Sequence, residues 1–377
     1  MTDAFVDTVV VGAGVVGLAA ARALAYARSE VLVLEAEASF GTVTSARNSE
    51  VVHGGLYYEN DSMKARTCIA GRERLYAFCA ERGVPHRVTG KLVVATTAGE
   101  RDALDALFAC ARANGVEGVE WLEGSRVRAL EPAVRADAAL LSPRTGIVDS
   151  HAFMLALVGD LEAAGGQVVC RSPVCRVEWG DRGFELEVGG REPMRLGCRQ
   201  LVNAAGHGAQ ALARATEGVP DGAVPEAFFA RGRYYGYAGR APVSHLIYPV
   251  PVSGGLGIHG TLDLAGALRF GPDVQWIDAL DHGFEDDARD AFVSSIQRWL
   301  PELRPDQLVP GYTGVRPKIV AEGAPAGDFR VDGPARHGVE GLVQCFGIES
   351  PGLTASLALA DEIVSALAGE RAREGTA

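Results

Sequence analysis

The segment TVVVGAGVVGLAAARALA, followed closely by SEVLVLEAE, constrains this chain more than any other, because it spells a strand, a glycine turn, a helix and a second strand ending in an acid. Gly12, Gly14 and Gly17 stand at G-x-G-x-x-G spacing, and Glu35 follows about 20 residues later, where a doubly wound fold bonds a ribose hydroxyl. Gly12 lets the chain turn out of its strand. Gly14 lets bare backbone approach a pyrophosphate, and Gly17 lets the helix lie close to the sheet. The first helical turn, with Val15 and Val16, offers unpaired N–H groups and a positive dipole end to the phosphates. This is a dinucleotide site, and an acid at position 35 suits FAD or NAD better than a 2′-phosphorylated cofactor.

A chain of 377 residues allows a large core and a second lobe beside the nucleotide fold, and its 47% hydrophobic content is that of an ordinary globular protein. The net charge of -12 comes from dispersed acids, which leaves no basic footprint for nucleic acid. Seven cysteines without a C-x-x-C pair or zinc-like spacing suggest reduced core residues, no metal and a cytoplasmic protein, with peripheral membrane association left open. The apolar stretch Val9 to Ala27 is interrupted by three glycines at phosphate-loop spacing, so it reads as the nucleotide unit rather than a membrane span.

Further along, NSEVVHGGLYY is dense in small and polar residues, and a helical pattern follows from Met63 to about Arg82. The strand GKLVVATT and a helix stopped by Gly115 come next. A helix leading into a strand returns the chain to the nucleotide fold from Ile147, and a hairpin-like pair ends in Asn203, Ala204, Ala205 and Gly206. From Phe228 the segments RGRYYGYAG, HLIYPVPV, GLGIHGTLD and ALRFGPD alternate as strands of a mixed sheet, closed by a helix from about Glu285 to Leu300. The run GLVQCFGIESPGLTAS then gives a strand, a turn and a last helix starting near Leu353, with Thr354 in its first turn. The fold class is therefore α/β: a Rossmann-like dinucleotide-binding domain (1–83, 141–226 and 305–377), the FAD-binding domain under the resemblance given next, interleaved with a mixed-sheet α+β substrate domain (84–140 and 227–304).

The strings NSEVVHGGLYY, NAAG, RGRYY, LIYPVPV to LGIHGT, GYTGVRPK and GIESPGLTAS make the chain resemble the FAD-dependent oxidoreductases of the D-amino-acid oxidase superfamily, and within it the L-2-hydroxyglutarate dehydrogenases. The resemblance covers most of the chain. It implies FAD with its adenine near Glu35, Ala36 and the backbone of Val174, and its pyrophosphate at Gly12 to Gly17. The Ala204 to Gly206 strand end belongs to the same cofactor set. The resemblance also implies an isoalloxazine bracketed by Ser45, Arg47, Asn48 and Ser49 on one side and by Gly347, Gly352, Leu353 and Thr354 on the other. His53, His259 and Arg316 stand around the flavin face in that scheme, with Tyr235, Tyr248 and Lys318 as further substrate contacts.

The implied reaction is oxidation of a 2-hydroxy acid, L-2-hydroxyglutarate or a related dicarboxylate. Such a substrate needs a cation for its carboxylate, which Arg316 suits through its bidentate fork, and a base for its hydroxyl, which His53 or His259 suits. The electron acceptor, whether a quinone, an electron-transfer protein or oxygen, leaves no motif. Arg47 and Glu50 depart from the family pattern, and the second lobe looks shortened around Ser253 to Gly255. An amine oxidase of the glycine or sarcosine type and a non-catalytic flavin-binding redox sensor are the competing readings.

Overall fold

In the computed structural model, which describes residues 2–27, 29–251 and 257–368, the chain forms two units. The first comprises residues 1–46, 150–228 and 317–377, and the second comprises 47–149 and 229–316. The interleaving expected from the sequence is present, but residues 47–83, 141–149 and 305–316 lie with the second unit rather than with the nucleotide fold. The reason is packing. Val51, Leu56, Ile147 and Leu308 are buried in one core with Leu92–Ala95, and Ile69 of the helix Met63–Arg82 packs against it. The shortening around Ser253 to Gly255 falls outside the described residues.

The first unit is built on a parallel sheet. The run from Thr8 to Val11 is buried on both faces, as a central parallel strand requires. The strand Ala4–Val11 pairs in parallel with Val31–Leu34 on one side and with Met194–Asn203 on the other. Leu342–Phe346 pairs in parallel with Met194–Asn203, and Gln167–Val169 with Val31–Leu34. In register, Val11 lies opposite Leu34 and Asn203, and Asn203 lies opposite Gln344. The carboxyl ends of these strands are therefore level, so Gly12, Glu35 and Ala204 emerge together at the edge where open α/β sheets bind ligands. The helices Val15–Tyr26, Ser150–Ala163 and Gly352–Ala368 pack beside one another in the same unit. Among the described residues no helix is long and apolar enough to cross a membrane.

The second unit carries a nine-stranded mixed sheet in which Lys91–Ala95, Leu246–Pro249, Gly260–Leu262, Leu268–Phe270 and Phe228–Tyr237 are successive elements. Each segment expected as a strand beyond Phe228 contains a strand among its described residues, while 252, 255 and 256 lie outside them. The helix Met63–Arg82 starts at Ser62, whose hydroxyl accepts from Ala65 N at 3.1 Å, and ends at the left-handed Gly83. The closing helix is shorter than its apolar spacing predicts, running Arg289–Gln297. The carboxylate of Asp286 is taken by Tyr235 Oη and by Arg289, which anchors that turn ahead of the helix. Phe292, Ile296 and Trp299 are nonetheless buried as expected.

Two glycines separate backbone need from backbone preference. A Cβ on Gly12, at φ +103°, would sit 2.5 Å from the Ala204 carbonyl oxygen, whereas one on Gly83, at φ +66°, would meet nothing within 4 Å. Gly83→Ala should cost about 1 kcal/mol, while Gly12→Ala should lower the melting temperature several times as far because strain and backbone collision add. Equal shifts of the two melting curves would show that the close approach at Gly12 is not needed.

Candidate active site

The nucleotide cradle belongs to the first unit. Gly12 N donates to Leu34 O at 2.8 Å as the chain leaves its strand, and Ala13 N donates to Glu35 Oε2 at 2.7 Å. The other carboxylate oxygen of Glu35 accepts from Glu37 N at 2.9 Å, so the acid is fixed beside the glycine turn. A Cβ on Gly17 would lie 1.9 Å from the Gly12 carbonyl oxygen, so only glycine lets the helix approach the turn this closely. Gly14 is the helix N-cap and supplies no side chain to the first turn. Val15 is buried and Val16 half-buried there. Bare backbone, a helix N-terminus and an acid at the end of the second strand fit the diphosphate and ribose of a dinucleotide.

The surrounding residues sort by place. Ser172 N donates to Glu35 O at 2.8 Å, which puts Val174 two residues past a backbone bond to the acid, while Ala36 is exposed beside it. Ala204 N donates to Val11 O at 2.9 Å, and Gly206 turns at φ +57°. Gly347 turns at φ +67° after the strand Leu342–Phe346, and Gly352 begins the last helix, with Leu353 half-buried and Thr354 fully buried in its first turn. Ser45, expected beside the isoalloxazine, reaches the start of the phosphate helix, where its hydroxyl accepts from Val15 N at 3.0 Å.

The segment Arg47 to Ser49 belongs to the second unit, where it is stitched to two strands. Arg47 Nη1 donates to Thr313 O at 3.4 Å, Asn48 O accepts from Tyr312 Oη at 2.5 Å, and Ser49 Oγ lies 2.9 Å from Tyr234 Oη. Gly314 is what lets this crossing occur, since a Cβ there would lie 2.1 Å from Arg47 O. Tyr234 stacks on Tyr312 with ring centroids 4.5 Å apart, and Arg269 donates to the Tyr312 hydroxyl at 2.9 Å. Glu50 sits at φ +57° with its N–H on Asn48 Oδ1.

Arg316 turns both terminal nitrogens onto one backbone carbonyl, Asp273 O, at 3.3 and 3.2 Å. No carboxylate pairs with it among the described residues. The cations that could have substituted for it are occupied. Lys318 is ion-paired to Glu349 at 2.8 Å, and Arg233 is paired to Asp273 at 2.7 Å and also to Asp287. Lys318, expected as a further substrate contact, is thus held in an ion pair within the first unit.

Tyr235 also departs from its expected role. It is fully buried, donates to Asp286 at 2.6 Å and packs against Phe284 and Phe292. The next residue back, Tyr234, has the polar surroundings instead: Ser49 bonds its hydroxyl, and the charge of Arg316 acts on its phenol. Alternation along a strand explains the exchange, since neighbours point to opposite faces.

His53 follows the short strand Val51–Val52, and its place is set by the two glycines after it. Gly54 O accepts from Arg72 Nη1 at 2.9 Å, and a Cβ on Gly54 would strike Ser142 Oγ at 2.4 Å. Burial first, and the charge of Lys91 second, push the imidazole down to about 3. His259 precedes the strand Gly260–Leu262 and lies flat against Tyr248, ring centroids 3.5 Å apart and planes 12° from parallel. The sequence reading did not single out Lys91, Tyr57, Tyr234, Tyr312 or Arg269. For Lys91 a signal existed, a lysine opening the otherwise apolar run KLVVA.

The chain is similar to known proteins along nearly its whole length. The family model described as FAD dependent oxidoreductase matches residues 7–366. L-2-hydroxyglutarate dehydrogenase, mitochondrial, of Arabidopsis thaliana is 41% identical over 96% of this chain and 83% of its own. The protein of that name from Caenorhabditis elegans is 30% identical over 95% of this chain and 92% of its own. Among solved structures, L-alpha-glycerophosphate oxidase from Mycoplasma pneumoniae with FAD bound superposes at a TM-score of 0.87 with 24% identity, covering 96% of this chain and 94% of that one. Glycine oxidase from Geobacillus kaustophilus gives 0.81 with 19% identity, covering 96% and 94%. The last two likenesses establish the fold.

A histidine titrating at its ordinary value would change charge near pH 6.5. His53 is instead expected to stay neutral from pH 5 to pH 9. Nitrogen-15 spectra of imidazole-labelled protein, with His53→Asn for assignment, should show no His53 transition in that range. A transition between pH 6 and 7 would contradict the burial described here.

Proposed function

The chain belongs to the FAD dependent oxidoreductase family, and we propose that it oxidises a 2-hydroxy acid, L-2-hydroxyglutarate or a related dicarboxylate, to the 2-oxo acid. Its cofactor is FAD. The observation that carries the substrate reading is Arg316, a half-buried guanidinium resting on a backbone carbonyl in a unit where Arg231 and Arg233 are both ion-paired. The names of the relatives, which match nearly the whole chain, support the same substrate class.

When bound, FAD supplies the two-electron acceptor for the hydrogen on the substrate's hydroxyl-bearing carbon, chemistry that side chains do not possess. The protein's own residues do the rest. Arg316 grips the carboxylate next to that carbon, where the planar fork fixes orientation as well as charge. His53 takes the hydroxyl proton on a ring that is already neutral and therefore has a lone pair to offer. His259, held flat on Tyr248, orients the substrate, and the Tyr234 hydroxyl, braced by Ser49, is a further polar contact.

An amine substrate would need no such base, because an amine loses its proton in solution, whereas a hydroxyl does not. The histidines therefore favour hydroxy acid oxidation over the amine reading, and a carrier without catalysis would have no use for Arg316 in this state. Flavin bleaching without oxygen tests the choice. A 2-hydroxy dicarboxylate should bleach the bound FAD, and glycine and sarcosine should not; the reverse pattern would overturn the proposal. Arg316→Lys should raise KM while retaining the flavin. His53→Asn should slow flavin reduction by about 10² to 10⁴ with the flavin spectrum preserved, and an unchanged rate would move the base elsewhere.

A further inference from the structure

Lys91 is a buried ionisable side chain, and the chemistry above makes no use of it. Its strand, Lys91–Ala95, runs parallel to Leu246–Pro249, with Lys91 opposite Leu246 and Val93 opposite Tyr248. Residues level across a sheet, and residues two apart along a strand, share a face, so Lys91 and Tyr248 project to the same side. The Lys91 ammonium lies 4.5 Å from the centre of the Tyr57 ring and 4.7 Å from that of Tyr248. The side chain is fully shielded from solvent, and among the described residues Nζ has neither a hydrogen-bond partner nor an ion-pair partner. Tyr57 Oη is a second buried polar atom without one.

An ammonium buried without an anion is among the costliest arrangements in a protein, and two aromatic faces offset only part of the lost hydration. Burial pulls Lys91 down to about 7. The titratable groups that face it are His53, Tyr57, Cys68 and Tyr248, with His259 against the Tyr248 ring. None of these is an anion at neutral pH, because burial pushes Tyr57, Cys68 and Tyr248 upward and His53 downward. Arg316 acts electrostatically on Tyr234, and Tyr234 acts on Tyr248. Two side chains without carboxylate partners, Arg316 and Lys91, thus act on neighbouring members of one run of tyrosines, Arg316 on Tyr234 and Lys91 on Tyr248.

We propose that Lys91 receives the second carboxylate of a 2-hydroxy dicarboxylate whose first carboxylate is held at Arg316, which makes Lys91 the residue that selects a dicarboxylate over a monocarboxylate. This rests on the hydroxy acid reading above. The anion supplies the charge that the buried ammonium lacks, and above neutral pH the amine takes up a proton as the ligand binds. Affinity for the dicarboxylate should therefore weaken as pH rises beyond the titration of Lys91.

Lys91→Met keeps the stem and removes the charge. Its folding can be checked through pH. The unfolded chain binds a proton at Lys91 up to about pH 10.5 and the folded chain only to about 7, so the native protein gains stability as pH rises between those values. Lys91→Met should accordingly melt higher than the natural protein near pH 6, with the gap closing toward pH 10. The test compares 2-hydroxyglutarate with 2-hydroxyvalerate, of equal chain length, in anaerobic flavin reduction by the holoenzyme. The preference for the dicarboxylate, as a ratio of kcat/KM, should fall about 10- to 100-fold in Lys91→Met. An unchanged ratio, or an equal loss on both acids, would overturn the assignment. Binding is read separately with glutarate, which cannot be oxidised at a hydroxyl: it should raise the melting temperature of the natural protein and not of Lys91→Met. If glutarate protects in that way but neither hydroxy acid bleaches the flavin, the oxidation reading fails and the anion site stands. If glutarate protects both proteins or neither, the anion site fails.

Discussion

The approach of the Val15–Tyr26 helix to the turn at Gly12 is the contact on which the first unit depends. With the Gly12 carbonyl 1.9 Å from where a Gly17 Cβ would be, the helix axis can come no nearer, and any side chain there would push it away. That distance aims the helix N-terminus at the level edge formed by Val11, Leu34, Asn203 and Gln344. It also brings Ala13 N within reach of Glu35, so the acid proposed to bond the ribose is positioned by the same turn that would leave room for a diphosphate. Ser45 adds a hydroxyl to the same place by capping Val15 N.

The second unit is organised by the opposite problem, charge inside a mixed sheet. Most of its internal arginines are matched: Arg231 with Asp281, Arg233 with Asp273 and Asp287. Glu131 is matched too, accepting from His245 and Ser244, which hold its carboxyl below the ordinary carboxylate range against the upward pull of burial. Arg316 and Lys91 stand out against that pattern because they have no carboxylate among the described residues. Under the proposed reading, a substrate bound through its carboxylates would meet the cost of keeping them in this state when it arrives.

Much of this was legible in the sequence, for identifiable reasons. The glycine turn, the parallel strands and the helices from Met63 and at the C-terminal end follow from periodicity and caps, which are local. The division into units did not follow, because Val51, Leu56 and Ile147 read as apolar residues that either core would accept. Tyr235 and Tyr234 were exchanged because a one-residue choice of face cannot be made before the strand's neighbours are known. Ser45 was placed by resemblance near the flavin ring, and its bond to Val15 N at the start of the phosphate helix is a long-range contact that the string does not show. Lys318 was placed by resemblance among the substrate contacts, and its partner Glu349, 31 residues away, is visible only in the fold. The neutral state of His53 is a property of burial in three dimensions, which a string does not carry.

The central claim is that the second unit reads a 2-hydroxy acid by its carboxylate at Arg316. A crystal structure of the FAD-loaded protein with the 2-oxo dicarboxylate product bound tests it most directly. The account predicts one product carboxylate in bidentate contact with the Arg316 guanidinium and the oxo oxygen within hydrogen-bond distance of the His53 ring. Product bound elsewhere, with Arg316 still resting only on the Asp273 carbonyl, would contradict it.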